Sequence, residues 1–236
     1  MWSIGLFADY DGTLVPPEET RKAPGPPEAV DAALRELSRY IKFAVVTSKA
    51  CDFVKTRIPY AHGYGCINGI EIAAGGYVAV AEDLNRELEK LSLVFKQLDV
   101  YVEEKWTSTG VLAGVTIDWR DGGKPPVLLE RVLAEAESRG LFVLRYGRHP
   151  FVDIYASRRN KGDAVRILKS LLGLDYVVYL GDSENDRPAW EVADVKILVR
   201  HSYNLHIKTK GLLPIPIEEL PAYLQEVLRA VAEASQ

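Results

Sequence analysis

The sequence predicts an α/β protein whose core is a parallel β-sheet with helices on both faces. Apolar segments of strand length alternate with helical patterns near both ends of the 236-residue chain, and this alternation is typical of a parallel sheet. Several of the strands end in carboxylate or hydroxyl residues, where ligands of such sheets bind. A central stretch, 82–155, breaks the alternation and predicts a second, smaller module.

The core elements follow one another along the chain. Strand 3–9 precedes helix 27–40, whose approach is marked by Pro24, Pro26 and Pro27. Turn residues Gly75 and Gly76 predict a hairpin over 70–80. The remaining core elements are predicted as strand 42–47, helix 49–57, strand 62–67, helix 161–172, strand 176–181, helix 184–192, strand 195–199 and helix 218–234.

The central stretch has a different order of elements. It is predicted as helix 82–98, strands 99–104 and 111–118, helix 126–139, and strands 141–145 and 151–155. This αββαββ order favours an antiparallel sheet with two helices on one face. We therefore expect two domains: a core formed by 1–80 and 156–236, and an inserted α+β domain over 81–155.

Residues 6–14, Leu-Phe-Ala-Asp-Tyr-Asp-Gly-Thr-Leu, are the most informative segment of the chain. Asp9 and Asp11 are two apart at the end of an apolar strand, so their side chains would share a face. Two close carboxylates at such a place indicate a cation or a reaction that needs them. A solvated turn is the alternative for this segment taken alone.

Further polar groups follow other predicted strands. Residues 176–186, Tyr-Val-Val-Tyr-Leu-Gly-Asp-Ser-Glu-Asn-Asp, end in a second acidic cluster. Thr47 and Ser48 follow the strand that begins at Lys42, and Asn160-Lys161-Gly162 opens a helical pattern. In order, the chain offers Asp-x-Asp, a hydroxyl, a lysine and Gly-Asp-x-x-Asn-Asp.

This ordered set resembles the four-motif signature of the haloacid dehalogenase superfamily of phosphohydrolases. The resemblance spans residues 3–199 and implies a Rossmann-like core with an inserted cap domain. It also implies an aspartyl-phosphate mechanism, which splits one difficult step into two. Asp9 would be the nucleophile, and Asp11 the general acid and then the general base.

The resemblance also implies a Mg²⁺ site and a phosphate site. Mg²⁺ prefers oxygen ligands, and the implied ligands are Asp9, Asp11 through its backbone carbonyl, Asp182 and Asp186. Thr47 would donate to a phosphoryl oxygen, and Lys161 would neutralise developing charge. Thr47 as a helix cap and Lys161 as a solvated charge are the alternatives. The other implied substrate-binding residues of the core are Gly12, Thr13, Ser48, Lys49 and Asn185.

The inserted domain resembles the caps of trehalose-6-phosphate phosphatases and related sugar phosphatases of subclass IIB. Its Glu103, Lys105 and Asp153 match elements with which those caps hold sugar hydroxyls, although a solvated strand face is the alternative. The second and fourth motifs, Val-Val-Thr-Ser-Lys and Gly-Asp-Ser-Glu-Asn-Asp-Arg-Pro, look more like those of mannosyl-3-phosphoglycerate phosphatases. Lys49 would then be available for a carboxylate.

We therefore predict a phosphoric monoester hydrolase that acts on a small sugar phosphate such as trehalose 6-phosphate. Mannosyl-3-phosphoglycerate and a phosphosugar mutase reaction remain alternatives. A ligand-binding protein without catalysis is disfavoured because all four motifs are intact.

Composition agrees with an ordinary enzyme and excludes several classes. A net charge of −4 without a long basic run argues against nucleic acid as a partner. No apolar stretch approaches the roughly 20 residues that span a bilayer. The chain begins directly with a strand, so we expect no signal peptide and a cytoplasmic monomer or homodimer. Cys51 and Cys66 are isolated in the sequence and are expected to be reduced cytosolic thiols rather than a disulfide or a metal site.

Overall fold

The computed structural model describes residues 2–19 and 24–234. The chain divides into two compact units: unit 1 comprises Met1–Ala79 and Asn160–Gln236, and unit 2 comprises Val80–Arg159. The domain boundaries drawn from the sequence fall after residues 80 and 155, whereas the units divide after residues 79 and 159.

The strands and helices are numbered in chain order. The strands are β1 (Ile4–Ala8), β2 (Lys42–Val46), β3 (Gly63–Cys66), β4 (Glu71–Ala74), β5 (Tyr77–Val80), β6 (Tyr101–Trp106), β7 (Leu112–Asp118), β8 (Phe142–Arg145), β9 (Phe151–Tyr155), β10 (Tyr176–Gly181), β11 (Val195–Arg200) and β12 (Leu213–Pro216). The helices are α1 (Glu28–Leu37), α2 (Cys51–Arg57), α3 (Glu87–Phe95), α4 (Leu129–Ser138), α5 (Lys161–Leu171), α6 (Arg187–Val192) and α7 (Leu220–Ala234).

Unit 1 is built on one sheet with the strand order β12-β11-β10-β1-β2-β3-β4-β5. The pairings from β12 to β3 are all parallel, and β4 is antiparallel to β3. Strand β1 lies between β10 and β2, so the segments that follow these three strands meet at one edge of the sheet. The predicted α/β fold with a parallel core sheet is confirmed.

One face of this sheet packs against α5 and α6. Apolar residues recur on α5 at helical spacing and put Ala164, Val165 and Leu168 in the core, where Phe7 and Tyr179 are also fully buried. Burying each large apolar side chain of this kind stabilises the fold by about 1.5–3 kcal/mol. This packing fixes the start of α5, and with it Lys161, relative to the ends of the central strands.

Unit 2 has an antiparallel sheet with the order β6-β7-β9-β8. Its α3 and α4 supply Leu88, Phe95 and Leu133 to a core that includes Val115 and Ile154 of the sheet. Side chains alternate along a strand, so residues such as Glu103, Lys105 and Asp153 project from the opposite face. The αββαββ arrangement predicted from the sequence is confirmed.

Two elements differ from the sequence-based expectation. The sequence pattern does not predict β12, because Pro214 and Pro216 are unfavourable in strands, and β12 is an edge strand that tolerates them. The predicted helix 184–192 is a single 3₁₀ turn over Glu184–Asp186 followed by α6, with Pro188 in the first turn of α6.

The expectation of reduced thiols is wrong, because Cys51 and Cys66 form a disulfide with a Cα–Cα distance of 5.3 Å. Strands β2 and β3 are parallel neighbours. The chain that leaves β2 and enters α2 at Cys51 therefore passes the end of β3, where Cys66 lies. The sequence does not predict this disulfide, because the two cysteines come together only when β2 and β3 pair in parallel.

Among the described residues, none of the helices is long and apolar enough to cross a membrane.

Candidate active site

Asp9 follows β1 directly and is 4% exposed. Its backbone N–H donates to the carbonyl of Leu180, which continues the pairing of β1 with β10 by one residue. Its Oδ1 accepts a hydrogen bond from the N–H of Tyr10 at 2.7 Å. The backbone thus holds the carboxylate at the carboxyl ends of the central strands of the sheet.

Gly12 makes a turn directly beside the Asp182 carboxylate. Its φ of +76° is unfavourable for any residue with a side chain. A Cβ atom at this position would lie 2.3 Å from Oδ2 of Asp182. The next residue, Thr13, is fully buried and donates from Oγ1 to Oδ1 of Asp182 at 3.1 Å.

We expect Gly12→Ala to lower catalytic activity far more than a Gly→Ala substitution that introduces only backbone strain. The added methyl group must displace the Asp182 carboxylate, and a small misplacement of a group in an active site can cost on the order of 100-fold in rate. Gly211→Ala is the matched control, since Gly211 has φ +80° and open space around the Cβ position. Steady-state kinetics and melting temperatures of both variants test this; equal activities would contradict it.

Asp186 lies beneath the loop that follows β10. Its Oδ2 accepts the backbone N–H groups of Asp182 and Ser183, both at 3.0 Å. Its Oδ1 accepts from the Tyr179 hydroxyl at 2.6 Å and from Lys161 Nζ at 2.8 Å. Because both oxygens already accept two hydrogen bonds, Asp186 holds the loop and Lys161 in place.

Lys161 is the first residue of α5 and is fully buried. Asn160 caps the helix by accepting the N–H groups of Gly162 and Asp163, which fixes where α5 begins. Lys161 Nζ lies 2.6 Å from Oδ2 of Asp9 and 3.1 Å from Oδ1 of Asn185. The lysine therefore joins the first and fourth motifs.

The charges around Lys161 control its protonation. Burial by itself would lower the pKa of the ammonium group, but Asp186 and Asp9 outweigh it and hold the pKa above its ordinary value. Lys161 is therefore a permanent cation, suited to neutralising charge on a bound anion.

One carboxylate oxygen from each of Asp9, Asp182 and Asp186 lies within 4.8 Å of the other two. Burial raises the pKa of both Asp9 and Asp182 well above the ordinary value, and neighbouring carboxylates add to the effect. An oxygen-only set of buried carboxylates with one lysine fits a hard divalent cation such as Mg²⁺, which would lower these pKa values again.

The loop after β2 brings Thr47 and Lys49 to the same edge. Thr47 is fully buried, and its Oγ1 accepts the N–H of Lys49 at 3.2 Å. Lys49 Nζ lies 3.6 Å from Oδ2 of Asp11. Ser48, between them, is half-buried. The second motif therefore adds a hydroxyl and a cation beside the first.

A three-residue turn donates hydrogen bonds to the loop that carries Thr47 and Lys49. Ile67, Asn68 and Gly69 all have positive φ, at 48°, 57° and 89°. The N–H groups of Ile67 and Asn68 donate to the carbonyls of Lys49 and Thr47. A Cβ atom on Gly69 would lie 2.4 Å from the carbonyl oxygen of Asn160. The turn thus fits closely between the loop that carries Thr47 and Lys49 and the N-cap residue of α5, Asn160.

His201 and Asn204, which follow β11, also contact Asp182, although no motif in the sequence predicts this. His201 Nε2 lies 3.0 Å from Oδ2 of Asp182, and Asn204 Nδ2 donates to the backbone carbonyl of Asp182 at 2.8 Å. Burial lowers the pKa of His201 to about 4. The signal that could have indicated this role is the position of both residues just after the end of a parallel strand.

In unit 2 the structure brings Lys105 and Asp153 together at 3.1 Å, both 2% exposed. Asp153 also accepts hydrogen bonds from the hydroxyl groups of Thr116, Tyr146 and Tyr155. Burial by itself would raise its pKa, but Lys105 and the hydroxyl donors outweigh it and hold the pKa below the ordinary value.

Glu103 belongs to the same face of this sheet. It lies opposite Thr116, which in turn lies opposite Asp153, and it is half-buried. The structure therefore places Glu103, Lys105 and Asp153 on one polar face, away from α3 and α4.

Two curated proteins resemble the chain, and no family model matches it. A phosphoglycolate phosphatase of Thermoplasma volcanium is 33% identical over 115 residues, which cover 47% of this chain and 45% of that protein. A probable trehalose-phosphate phosphatase of Arabidopsis thaliana is 24% identical over 225 residues, covering 80% and 58%. The chain thus spans about half the length of these relatives.

Solved structures match over nearly the whole chain. A trehalose-6-phosphate phosphatase related protein has a TM-score of 0.71 at 18% identity and covers 98% of this chain and 99% of its own. The C-terminal domain of C. albicans trehalose-6-phosphate phosphatase has a TM-score of 0.73 at 16% identity, covering 97% and 93%. A sugar phosphatase of haloacid dehalogenase subclass IIB has a TM-score of 0.65 at 17% identity, covering 95% and 99%.

The chain therefore has the haloacid dehalogenase fold, with an inserted α+β unit as in the subclass IIB sugar phosphatases that it resembles.

Proposed function

We propose that the protein is a Mg²⁺-dependent phosphatase that hydrolyses a small sugar phosphate through an aspartyl-phosphate. One observation carries the proposal: the Asp9 carboxylate lies 2.6 Å from the buried Lys161 ammonium, within a cluster of three buried carboxylates. This arrangement combines a nucleophile with fixed positive charge for an anionic substrate. The resemblance to named phosphatases supports the same activity.

In the first step, an Asp9 oxygen attacks phosphorus, and the bond from phosphorus to the sugar oxygen breaks. Asp11 donates a proton to that departing oxygen. In the second step, Asp11 accepts a proton from water as the water oxygen attacks phosphorus, and the bond to Asp9 breaks to release phosphate. The Thr47 hydroxyl donates to a phosphoryl oxygen, and Lys161, held by Asp186, neutralises the negative charge that develops there.

The metal ligands we propose are Asp9, Asp182 and the backbone carbonyl of Asp11. Mg²⁺ bound there would neutralise the charge between the Asp9 carboxylate and the phosphoryl group. Asp186 is better suited to orienting this site than to ligation, because its oxygens are occupied by four hydrogen bonds.

We propose that unit 2 determines the substrate through the polar face that carries Glu103, Lys105 and Asp153. The buried ion pair between Lys105 and Asp153 fixes the rotamers of both side chains. Polar groups held rigidly in this way suit the face to hydrogen-bonding sugar hydroxyls. Trehalose 6-phosphate is the first substrate to test. Mannosyl-3-phosphoglycerate is the second, because Lys49 beside the phosphate site can pair with a carboxylate.

Phosphate release measured against a panel of esters tests the activity. The panel contains trehalose 6-phosphate, mannosyl-3-phosphoglycerate, phosphoglycolate, hexose phosphates and nucleotides, each with Mg²⁺ and with EDTA. We expect release that depends on Mg²⁺ and one sugar phosphate with the highest kcat/KM. Isomerised sugar phosphate without free phosphate would identify a mutase instead, and no turnover of any ester would refute the proposal.

For the preferred ester, we expect Glu103→Gln to raise KM by roughly tenfold, because a charge-assisted hydrogen bond is worth about 1.5 kcal/mol or more. KM for p-nitrophenyl phosphate, which has no sugar, should stay unchanged. Glu104→Gln is the matched control: Glu104 is the next residue on β6 and pairs with Lys96 at 2.7 Å, on the face towards α3. Equal KM changes for both esters would remove Glu103 from the substrate site.

A further inference from the structure

The segment after β11 holds the loop of Asp182 through three side chains. His201 and Asn204 contact Asp182 itself, at Oδ2 and at the backbone carbonyl. His206 Nε2 lies 2.7 Å from Oε1 of Glu184, two residues further along the same loop. This segment lies outside all four motifs, yet it contacts the predicted metal ligand directly.

The position of the hydrogen on the His201 ring follows from its contacts. Nδ1 accepts the backbone N–H of Tyr203 at 3.2 Å, so Nδ1 carries no hydrogen. The ring hydrogen is therefore on Nε2, which donates to Oδ2 of Asp182 at 3.0 Å. His201 is 8% exposed and fixed by its own turn, because its backbone N–H donates to Oδ1 of Asn204.

The Asp182 carboxylate consequently has both oxygens oriented by donors. Thr13 donates to Oδ1 and His201 donates to Oδ2, which leaves one lone pair on each oxygen directed elsewhere. A carboxylate fixed in this way loses little conformational freedom when it binds a cation. Partners that orient a ligand typically contribute a factor of about 10–100 to metal affinity.

We infer that His201 is a positioning residue for the cation site: it orients the Asp182 carboxylate through Nε2–H and thereby sets the affinity for Mg²⁺. The inference rests on the proposed function, since it requires Asp182 to be a Mg²⁺ ligand.

Two substitutions separate the two contacts of His201. In His201→Asn the side-chain oxygen takes the place of Nδ1 and still caps the turn at Tyr203, but position 201 no longer donates to Oδ2 of Asp182. In His201→Gln the side-chain amide nitrogen reaches the place of Nε2 and restores that donor. His62→Asn is the matched control, because His62 Nδ1 also accepts a backbone N–H, from Phe43, away from the carboxylates.

Mg²⁺ affinity is measured by isothermal titration calorimetry on the full chain with MgCl₂ alone. We expect His201→Asn to weaken binding about 10–100-fold, and His201→Gln and His62→Asn to bind close to wild type. Wild-type affinity in His201→Asn would overturn the role of His201. Absence of Mg²⁺ binding by the wild-type protein would instead overturn the metal site of the proposed function.

A second measurement needs no variant and covers the case in which His201→Asn does not fold. Nitrogen-15 spectra of labelled histidine in the wild-type protein report which ring nitrogen carries the hydrogen. We expect His201 in the Nε2–H form, with its Nε2 resonance shifted by MgCl₂. The Nδ1–H form, or a resonance indifferent to bound Mg²⁺, would overturn the inference.

Discussion

Asp9→Asn should abolish phosphate release, by on the order of 10⁴-fold or more, because the amide cannot attack phosphorus. The substitution preserves the shape of the side chain and can still accept the N–H of Tyr10. Turnover of the preferred ester with saturating Mg²⁺ is the measurement. Retention of more than a small fraction of wild-type kcat in a pure preparation would refute the assignment of Asp9 as nucleophile.

The same variant should be at least as stable as the wild-type protein in EDTA. Burial raises the pKa of Asp9, so the ionised carboxylate costs folding free energy at neutral pH. The neutral amide avoids this cost, and Lys161 keeps its ion pair with Asp186. A melting temperature well below wild type would show instead that activity was lost through the fold, and the kinetic result would then say nothing about the nucleophile.

Loss of the Cys51–Cys66 disulfide should cause the largest change in stability. The bridge closes a loop with a sequence separation of 15, and cross-links over such loops contribute about 3 kcal/mol to the free energy of unfolding. For a chain of this size that corresponds to a fall in melting temperature of roughly 6–12 °C. The measurement is thermal unfolding of the wild-type protein with and without a dithiol reductant.

The Cys51→Ala/Cys66→Ala double variant is the control for this experiment. It should melt near the temperature of the reduced wild-type protein and should not respond to reductant. We also expect a higher KM, because the bridge joins the end of β3 to the start of α2, directly after the loop that carries Thr47 and Lys49. An oxidised and a reduced protein with the same melting temperature would show that the bridge contributes nothing to stability.

The sequence was sufficient to predict the α/β core, the αββαββ insertion and the residues at the ends of β1, β2 and β10. These predictions rest on short-range patterns: apolar periodicity and polar residues at strand ends. The disulfide, the Lys105–Asp153 pair and the contact of His201 with Asp182 depend on which strands become neighbours, and no local pattern carries that information. The Asp186 side chain shows both cases: three of its hydrogen-bond donors lie within 179–183, close in sequence, whereas the fourth, Lys161, comes from α5.

The turn at Ile67, Asn68 and Gly69 limits how this protein can change during evolution. A β-branched residue with positive φ is already unfavourable at Ile67, and Gly69 has no room for a side chain beside Asn160. Directed-evolution libraries for a new substrate should therefore leave this turn unchanged and place their diversity on the polar face of unit 2, which we propose recognises the substrate. Selection can then alter what the protein recognises while the geometry of Thr47 and Lys161 is inherited intact.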